Sequence, residues 1–336
     1  MNKKFDFKDI TLVPEILSSI RSRSEISVYT DKGYLPLVVS PMDTVINESN
    51  SELFDDLGFM VCLPRGIRPN RENHFKSVSL EEFELMVEFG YNGNEHILVD
   101  IANGHMGKLY SLCRTFIKNN TGENLMIGNI ANPKTYKKFA KLGVGYIRVG
   151  IGGGSGCLTS ANTGVHYPMA SLINECFIIK KENEYNTKII ADGGFKNYDE
   201  IIKAIALGAD YVMLGGVLNK TLESCSETKL FKVIPISENT SIYLWNEYLF
   251  LRKYFYKKFR GMSTKEVQKK WGKSKLTTSE GITKYNKVEY TLSSWTENLR
   301  DYLRSAMSYT NSTTLDEFKE SEYVFITQNA LNRFHK

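Results

Sequence analysis

The chain has 336 residues, with 43 Lys plus Arg against 38 Asp plus Glu, a formal net charge of +5. Charged residues make up 24% and hydrophobic residues 42%, the balance of an ordinary globular protein, which excludes a disordered chain, a collagen-like chain and a small disulfide scaffold. The positive charge is spread through clusters such as Arg252-Lys253, Lys257-Lys258 and Lys269-Lys270, interleaved with aromatics and Glu. That pattern reads as a solvated face rather than the basic stripe needed for a nucleic-acid polymer.

Five cysteines, Cys62, Cys113, Cys157, Cys176 and Cys225, form no CxxC pair and no Cys/His cluster with metal spacing. Met1–Phe7 is charged and offers no secretory leader. No apolar run reaches the ~18 residues of a membrane helix. A cytoplasmic protein with reduced thiols and no membrane partner is expected.

Short apolar, β-branched runs recur along the chain, several followed by helical spacing. The predicted strands begin with Leu35–Val39, Phe59–Leu63, His96–Ile101 and Leu125–Ile130. A helix over Tyr136–Leu142 follows the start signal Asn132-Pro133. Strands Tyr146–Val149 and Lys188–Ala191 come next. A helix over Tyr198–Leu207 then carries Ile201, Ile202, Ile205 and Ala206 on one face and ends at Gly208. Tyr211–Leu214 is the seventh strand, and a stretch near Lys257–Arg260 is taken as the eighth. Alternating βα units imply a parallel sheet. Eight strands imply a (β/α)8 TIM barrel, here a single domain over residues 1–336. Ser226–Phe259 is aromatic-rich and reads as an elaborated hairpin before the last strand. The polar, Lys-containing stretch from about residue 261 to 291 reads as a mobile flap over the mouth.

Several strands end in Gly, Asp, Ser or Asn, at the end of a barrel where active sites are built. These ends are Ser40–Asp43, Asp100–Gly104, Gly128-Asn129, Gly150–Gly154, Asp192–Gly194 and Gly215-Gly216. The densest signal is Gly150–Thr159. Its glycines permit positive φ and close approach to a ligand, with N–H groups for an anion or carbonyls for a cation. Ser155 can donate to a phosphate oxygen, and Cys157 sits where a loop can shape a thiolate. Spacing alone fits a flexible glycine turn with a structural thiol equally well. The Asp192-Gly193-Gly194 and Gly215-Gly216 ends follow the sixth and seventh predicted strands, next to the positions where barrels often bind phosphate. Asp192 has the reach to accept from two ribose hydroxyls. His105, His166 and Glu280 each read as readily as satisfied or surface residues. No Ser-His-Asp order, P-loop, opening GxGxxG or HExxH is present.

Together, Phe5–Ile10, Ser40–Val45, Gly128-Asn129, Gly150–Thr159, Asp192–Gly194, Met213–Gly216 and Gly261–Ser263 resemble the IMP dehydrogenase/GMP reductase family, from about Phe5 to Phe334. The resemblance implies a (β/α)8 barrel, usually a homotetramer, that binds a purine nucleotide monophosphate (GMP or IMP) at its mouth. A cysteine attacks purine C2, and a nicotinamide cofactor exchanges a hydride there. The stretch between Leu63 and His96 is too short for the regulatory domain usual in the dehydrogenases, and the flap has no Arg between Met262 and Glu280. Ser22–Glu25, Asp100–Gly104, and Arg304-Ser305 with Ser308-Tyr309 also look like the reductase branch, in which GMP and NADPH give IMP, ammonia and NADP.

Carried over by position, Cys157 is the nucleophile, with Thr159 and Glu280 as the pair that handles the proton. Ser155, Gly193, Gly194, Gly215 and Gly216 hold the phosphate and Asp192 the ribose. Gly261, Met262, Ser263 and Gly281 lie near the base. Ser22, Arg23, Asp100, Ile101, Ala102, Ser279, Ser305, Ser308 and Tyr309 meet NADPH, some across a subunit boundary. Carbonyls of Gly152, Gly154 and Cys157 match a K+ loop. The chain departs from the family at Leu63-Pro64-Arg65-Gly66, where His-Lys is usual, and at Leu158-Thr159-Ser160, where Thr-Thr-Arg is usual. Arg65 or Arg68 is then the candidate for the lost cation. The alternatives left open are a deoxy or modified purine nucleotide as substrate, an IMP dehydrogenase, and a nucleotide-binding barrel without turnover.

Overall fold

The computed structural model describes residues 3–91, 93–270 and 281–334. A short β1 (Ile10–Leu12) precedes eight strands: β2 (Leu37–Val39), β3 (Met60–Leu63), β4 (Phe75–Val78), β5 (Ile97–Asp100), β6 (Leu125–Ile130), β7 (Tyr146–Val149), β8 (Lys188–Asp192) and β9 (Tyr211–Leu214). These eight form a closed, all-parallel barrel, in which β9 returns to pair with β2 through Leu37↔Val212 and Val39↔Leu214. Beyond it lie β10 (Thr228–Leu230), β11 (Ile234–Ile236), β12 (Phe255–Arg260), β13 (Thr283–Lys287) and β14 (Tyr323–Phe325). β14 pairs with β1, antiparallel.

The barrel is as expected, but its membership needs one correction. The stretch near Lys257–Arg260 belongs to β12, which lies in an antiparallel sheet of order β11-β10-β12-β13. The strand missing from the sequence reading is β4, Phe-Lys-Ser-Val, between β3 and β5. Only its two ends are apolar, so no run announces it. The β12 sequence instead alternates, burying Phe255, Lys257 and Phe259, the pattern of a sheet with one wet face. Barrel strands show the opposite signature, because both faces are covered. Val38, Met60, Leu98, Met126, Tyr146 and Ile190 fill the lumen. Their neighbours Val39, Val61, Val99, Ile127, Ile147 and Ile189 pack outward in the main core. With β4 counted, the two Gly-Gly ends follow the seventh and eighth barrel strands.

Helix Pro133–Leu142 starts three residues before the predicted bound. Asn132 accepts from the Lys134 N–H, Pro133 opens the first turn and Gly143 closes the helix in the left-handed region. No helix among the described residues is long and apolar enough to cross a membrane.

The aromatic-rich segment is more than a hairpin: β10, β11, helix Glu238–Glu247 and β12 build a lobe with its own small core of Leu222, Trp245, Phe255 and Val288. Buried polar groups fasten it to the barrel. Asn219 Nδ2 donates to Thr44 O at 2.7 Å and Lys258 O at 3.0 Å, and Lys257 Nζ donates to Ser224 O at 2.6 Å.

Burial lowers the pKa of His74, His96 and His105. Unfolded imidazoles titrate near about 6.5. Below that pH the unfolded chain binds more protons than the folded one, so stability falls as pH is lowered. Urea unfolding is expected to show a lower midpoint at about pH 5.5 than at about pH 7.5, and His74→Gln should shrink the difference. An unchanged difference in that variant would contradict the assignment.

Candidate active site

The mouth is organised by buried charge. Arg148, in the middle of β7, donates from one terminal nitrogen to Asp100 Oδ1 at 2.7 Å. Its other terminal nitrogen and Nε donate to Asp192 Oδ2 at 2.9 and 3.2 Å. Asn129 Nδ2 donates to the same Asp192 oxygen at 2.7 Å and to Gly150 O at 2.8 Å. Arg65 Nε lies 3.8 Å from Asp100 Oδ2. Two guanidiniums and two carboxylates therefore alternate across the ends of β3, β5, β7 and β8, without net charge. Burial opposes the Arg148 charge, but the two carboxylates outweigh it and hold its pKa above the ordinary value.

Arg148 was not among the sequence candidates. The available signal was a charge inside the otherwise apolar strand Tyr146-Ile147-Arg148-Val149, because a buried arginine demands partners. Of the two arginines considered beside Pro64, Arg65 is the one that reaches Asp100.

Glycines let three loops stack beside this network. Gly150 has φ +131°, and a Cβ there would sit 2.3 Å from Asp192 O, so the loop after β7 rests directly on the end of β8. A Cβ on Gly194 would meet Gly153 O at 2.9 Å, and one on Gly216 would meet Ser155 Oγ at 2.5 Å. Ser155, Gly193, Gly194, Gly215 and Gly216 are thus brought together, at the barrel position that commonly receives phosphate.

Cys157 follows on the same loop. Its N–H donates to Gly154 O at 2.9 Å, and its Sγ donates to Thr159 Oγ1 at 3.2 Å. The other four thiols, at Cys62, Cys113, Cys176 and Cys225, have pKa values pushed up by burial, Cys225 to about 12. Cys157 is half-buried. The base of the flap is docked onto it: Ile282 N–H donates to Gly156 O at 3.1 Å, Gly261 N–H donates to Ile282 O at 2.9 Å, and Cys157 forms a β-bridge with Gly281. Gly261, Met262, Ser263 and Gly281 therefore gather beside the thiol. Arg260 anchors the same segment by donating to Asp43 Oδ2 at 2.6 Å, and it also pairs with Glu266. Glu280 and Ser279 lie outside the described residues.

The expected cofactor residues divide into two groups. Asp100, Ile101 and Ala102 lie at the mouth, at and just past the end of β5. Ser305, Ser308 and Tyr309 end the helix Leu292–Tyr309. That helix starts beside the mouth, where Tyr290 Oη donates to Val217 O at 3.1 Å, and its last residue is roughly 25 Å further along. The segment before Ser22 and Arg23 runs along that far end, with Ser18 Oγ donating to Ser308 O at 3.0 Å and Glu15 N–H to Tyr309 O at 2.9 Å. One chain does not bring both groups to one mouth.

Two of the three expected cation carbonyls are engaged within the loop: Gly152 O accepts from Ser160 Oγ at 3.0 Å, and Gly154 O accepts from Cys157 N–H. His105 is a brace. Its Nε2 accepts from Ala131 N–H at 2.9 Å and its Nδ1 faces Thr135 Oγ1 at 3.0 Å, tying the loop after β5 to the one after β6.

The chain is similar to known proteins over nearly its whole length. The IMP dehydrogenase / GMP reductase domain model matches residues 76–237. The chain is 28% identical to the GMP reductase of Staphylococcus carnosus (strain TM300), with 98% of each chain covered. It is 27% identical to that of Helicobacter pylori (strain G27), again with 98% of each covered. With that of Ascaris suum it shares 26% identity over 98% of this chain and 95% of the relative. The chain is thus similar to the IMP dehydrogenase/GMP reductase family, by its central residues to the domain model and over nearly its whole length to these reductases.

Proposed function

We propose that the protein is an NADPH-dependent GMP reductase of the cytoplasm, converting GMP to IMP and ammonia. The observation that carries this reading is the position of the half-buried Cys157. It lies between the glycine platform of Ser155, Gly194 and Gly216 and the docked flap base at Gly261 and Gly281. A nucleotide whose phosphate rests on that platform would extend its base toward the thiol.

The platform residues bind phosphate through backbone amides and the Ser155 hydroxyl, groups held at fixed geometry. Asp192 receives the ribose. Arg148 and Asn129 both bind its Oδ2, which fixes the carboxylate while leaving its second oxygen for hydroxyl donors. Arg148 is thus a positioning residue. Cys157 attacks purine C2 as the thiolate, and the exocyclic amine leaves as ammonia after taking up a proton. Thr159 accepts from the Cys157 thiol and with Glu280 handles these protons. NADPH, when bound, supplies the hydride that converts C2 to that of IMP, and the thiolate departs.

Asp100, Ile101 and Ala102 hold the nicotinamide end at the mouth. Ser22, Arg23, Ser305, Ser308 and Tyr309 lie at the opposite end of the chain, so they meet the cofactor of a neighbouring copy, consistent with a homotetramer. The loop expected to hold K+ is tied internally by Ser160 and Cys157.

The assay is the change in reduced-nicotinamide absorbance: loss with GMP or dGMP and NADPH or NADH, and gain with IMP and NAD. GMP with NADPH should be the productive pair, and folded protein inactive toward GMP would overturn the reading. Cys157→Ser should reduce turnover to background while nucleotide binding and thermal stability stay close to wild type; retained turnover would remove the covalent step. Arg148→Lys keeps the charge but cannot bridge both carboxylates. It should raise KM for GMP by about 10-fold or more, with a smaller effect on kcat. An unchanged KM would dissociate Arg148 from ribose positioning.

A further inference from the structure

The lobe formed by β10, β11, helix Glu238–Glu247 and Leu249–Tyr254 carries a surface that the site does not use. Phe231, Val233, Ile234, Tyr243, Leu249 and Phe250 are all exposed on it, Val233 by 74%, Leu249 by 68% and Phe250 by 66%. They are linked through the fold of the lobe. Phe231 packs on Tyr254 with ring centroids 4.5 Å apart, and its N–H donates to Tyr254 O at 2.8 Å. Tyr248 touches both Tyr243 and Phe250, with centroids 6.3 and 6.0 Å apart. These residues are not a core waiting to close, because the lobe already buries Trp245, Phe255, Leu222 and Val288 on its inner side.

The area points to a macromolecular partner. With roughly 150–250 Å² for each aromatic side chain and less for each aliphatic one, these fractional exposures leave on the order of 650 Å² of largely apolar surface in water. The largest patch on an ordinary monomer is about 300–600 Å², and a standard interface buries about 800 Å² per partner. The charges narrow the identity. Exposed Lys232 and Lys253 are matched by exposed Glu238 and Glu247. A lipid surface or nucleic acid selects for an excess of cations. Both signs on one surface are what a twofold self-contact needs, since each patch must be complementary to itself. Extension of the sheet is a poor route, because the edge strand β11 has three residues with Pro235 at its centre. The contact is therefore made by side-chain faces.

We propose that this lobe is a self-association surface on which a second copy of the chain packs lobe against lobe about a twofold axis. It does not depend on the catalytic reading.

The test is the mass of the full chain in solution, by sedimentation velocity and light scattering at matched concentration. Two variants are compared with wild type: Leu249→Glu combined with Phe250→Glu, and Val233→Lys alone. These side chains are exposed, and circular dichroism and thermal melting verify that each variant is folded. The expected result is that the double variant has half the wild-type mass and that Val233→Lys moves in the same direction. Equal mass for wild type and both folded variants would overturn the proposal. So would binding of wild type, but not the variants, to phosphatidylserine-containing vesicles with no change in mass, which would make the lobe a membrane-docking face.

Discussion

The mouth of this barrel depends on one buried guanidinium. Arg148 stands on a strand whose other residues are apolar, and it is tolerated there because Asp192 on the adjacent β8 and Asp100 on β5, one strand beyond β6, neutralise it. Removing one member of such a network leaves an uncompensated buried charge, which costs far more than an exposed ion pair contributes. The network therefore fixes where β5, β7 and β8 end relative to one another. It also sets the orientation of Asp192, whose Oδ2 is saturated by Arg148 and Asn129.

Everything else in the site is placed against that frame. The glycine loop after β7 lies on Asp192 O so closely that no side chain fits at Gly150. That contact determines where Ser155 and Cys157 fall. On the other side, Arg260 and Asp43 tie the flap base to the loop after β2, and Gly261 and Ile282 lock it to Gly156. The lobe is fastened by Asn219 and Lys257 to the same rim. Binding groups thus come from loops that brace one another, while the barrel beneath supplies a rigid floor.

Much of this was legible in the sequence. Seven barrel strands stood out because parallel strands covered on both faces are continuous apolar runs. β4 did not, because Lys76 and Ser77 interrupt it, and β12 was taken in its place, although buried Phe255, Lys257 and Phe259 alternate in it with half-buried Tyr256 and Lys258, as in an antiparallel strand with one wet face. That one error displaced the two Gly-Gly loops from the seventh and eighth strands to the sixth and seventh. The glycine clusters and Cys157 were visible as composition. Arg148 was not, because its importance comes from partners 44 and 48 residues away in the chain. The resemblance implied that some of the expected cofactor residues act across a subunit boundary, but sequence spacing alone does not show which end of a helix faces the mouth.

The most direct measurement is a crystal structure with GMP bound. The phosphate should lie on Ser155, Gly194 and Gly216, the ribose hydroxyls on Asp192, and purine C2 in contact with the Cys157 sulfur. A nucleotide bound away from the glycine platform, or a base turned from Cys157 with the platform filled, would contradict the proposed chemistry.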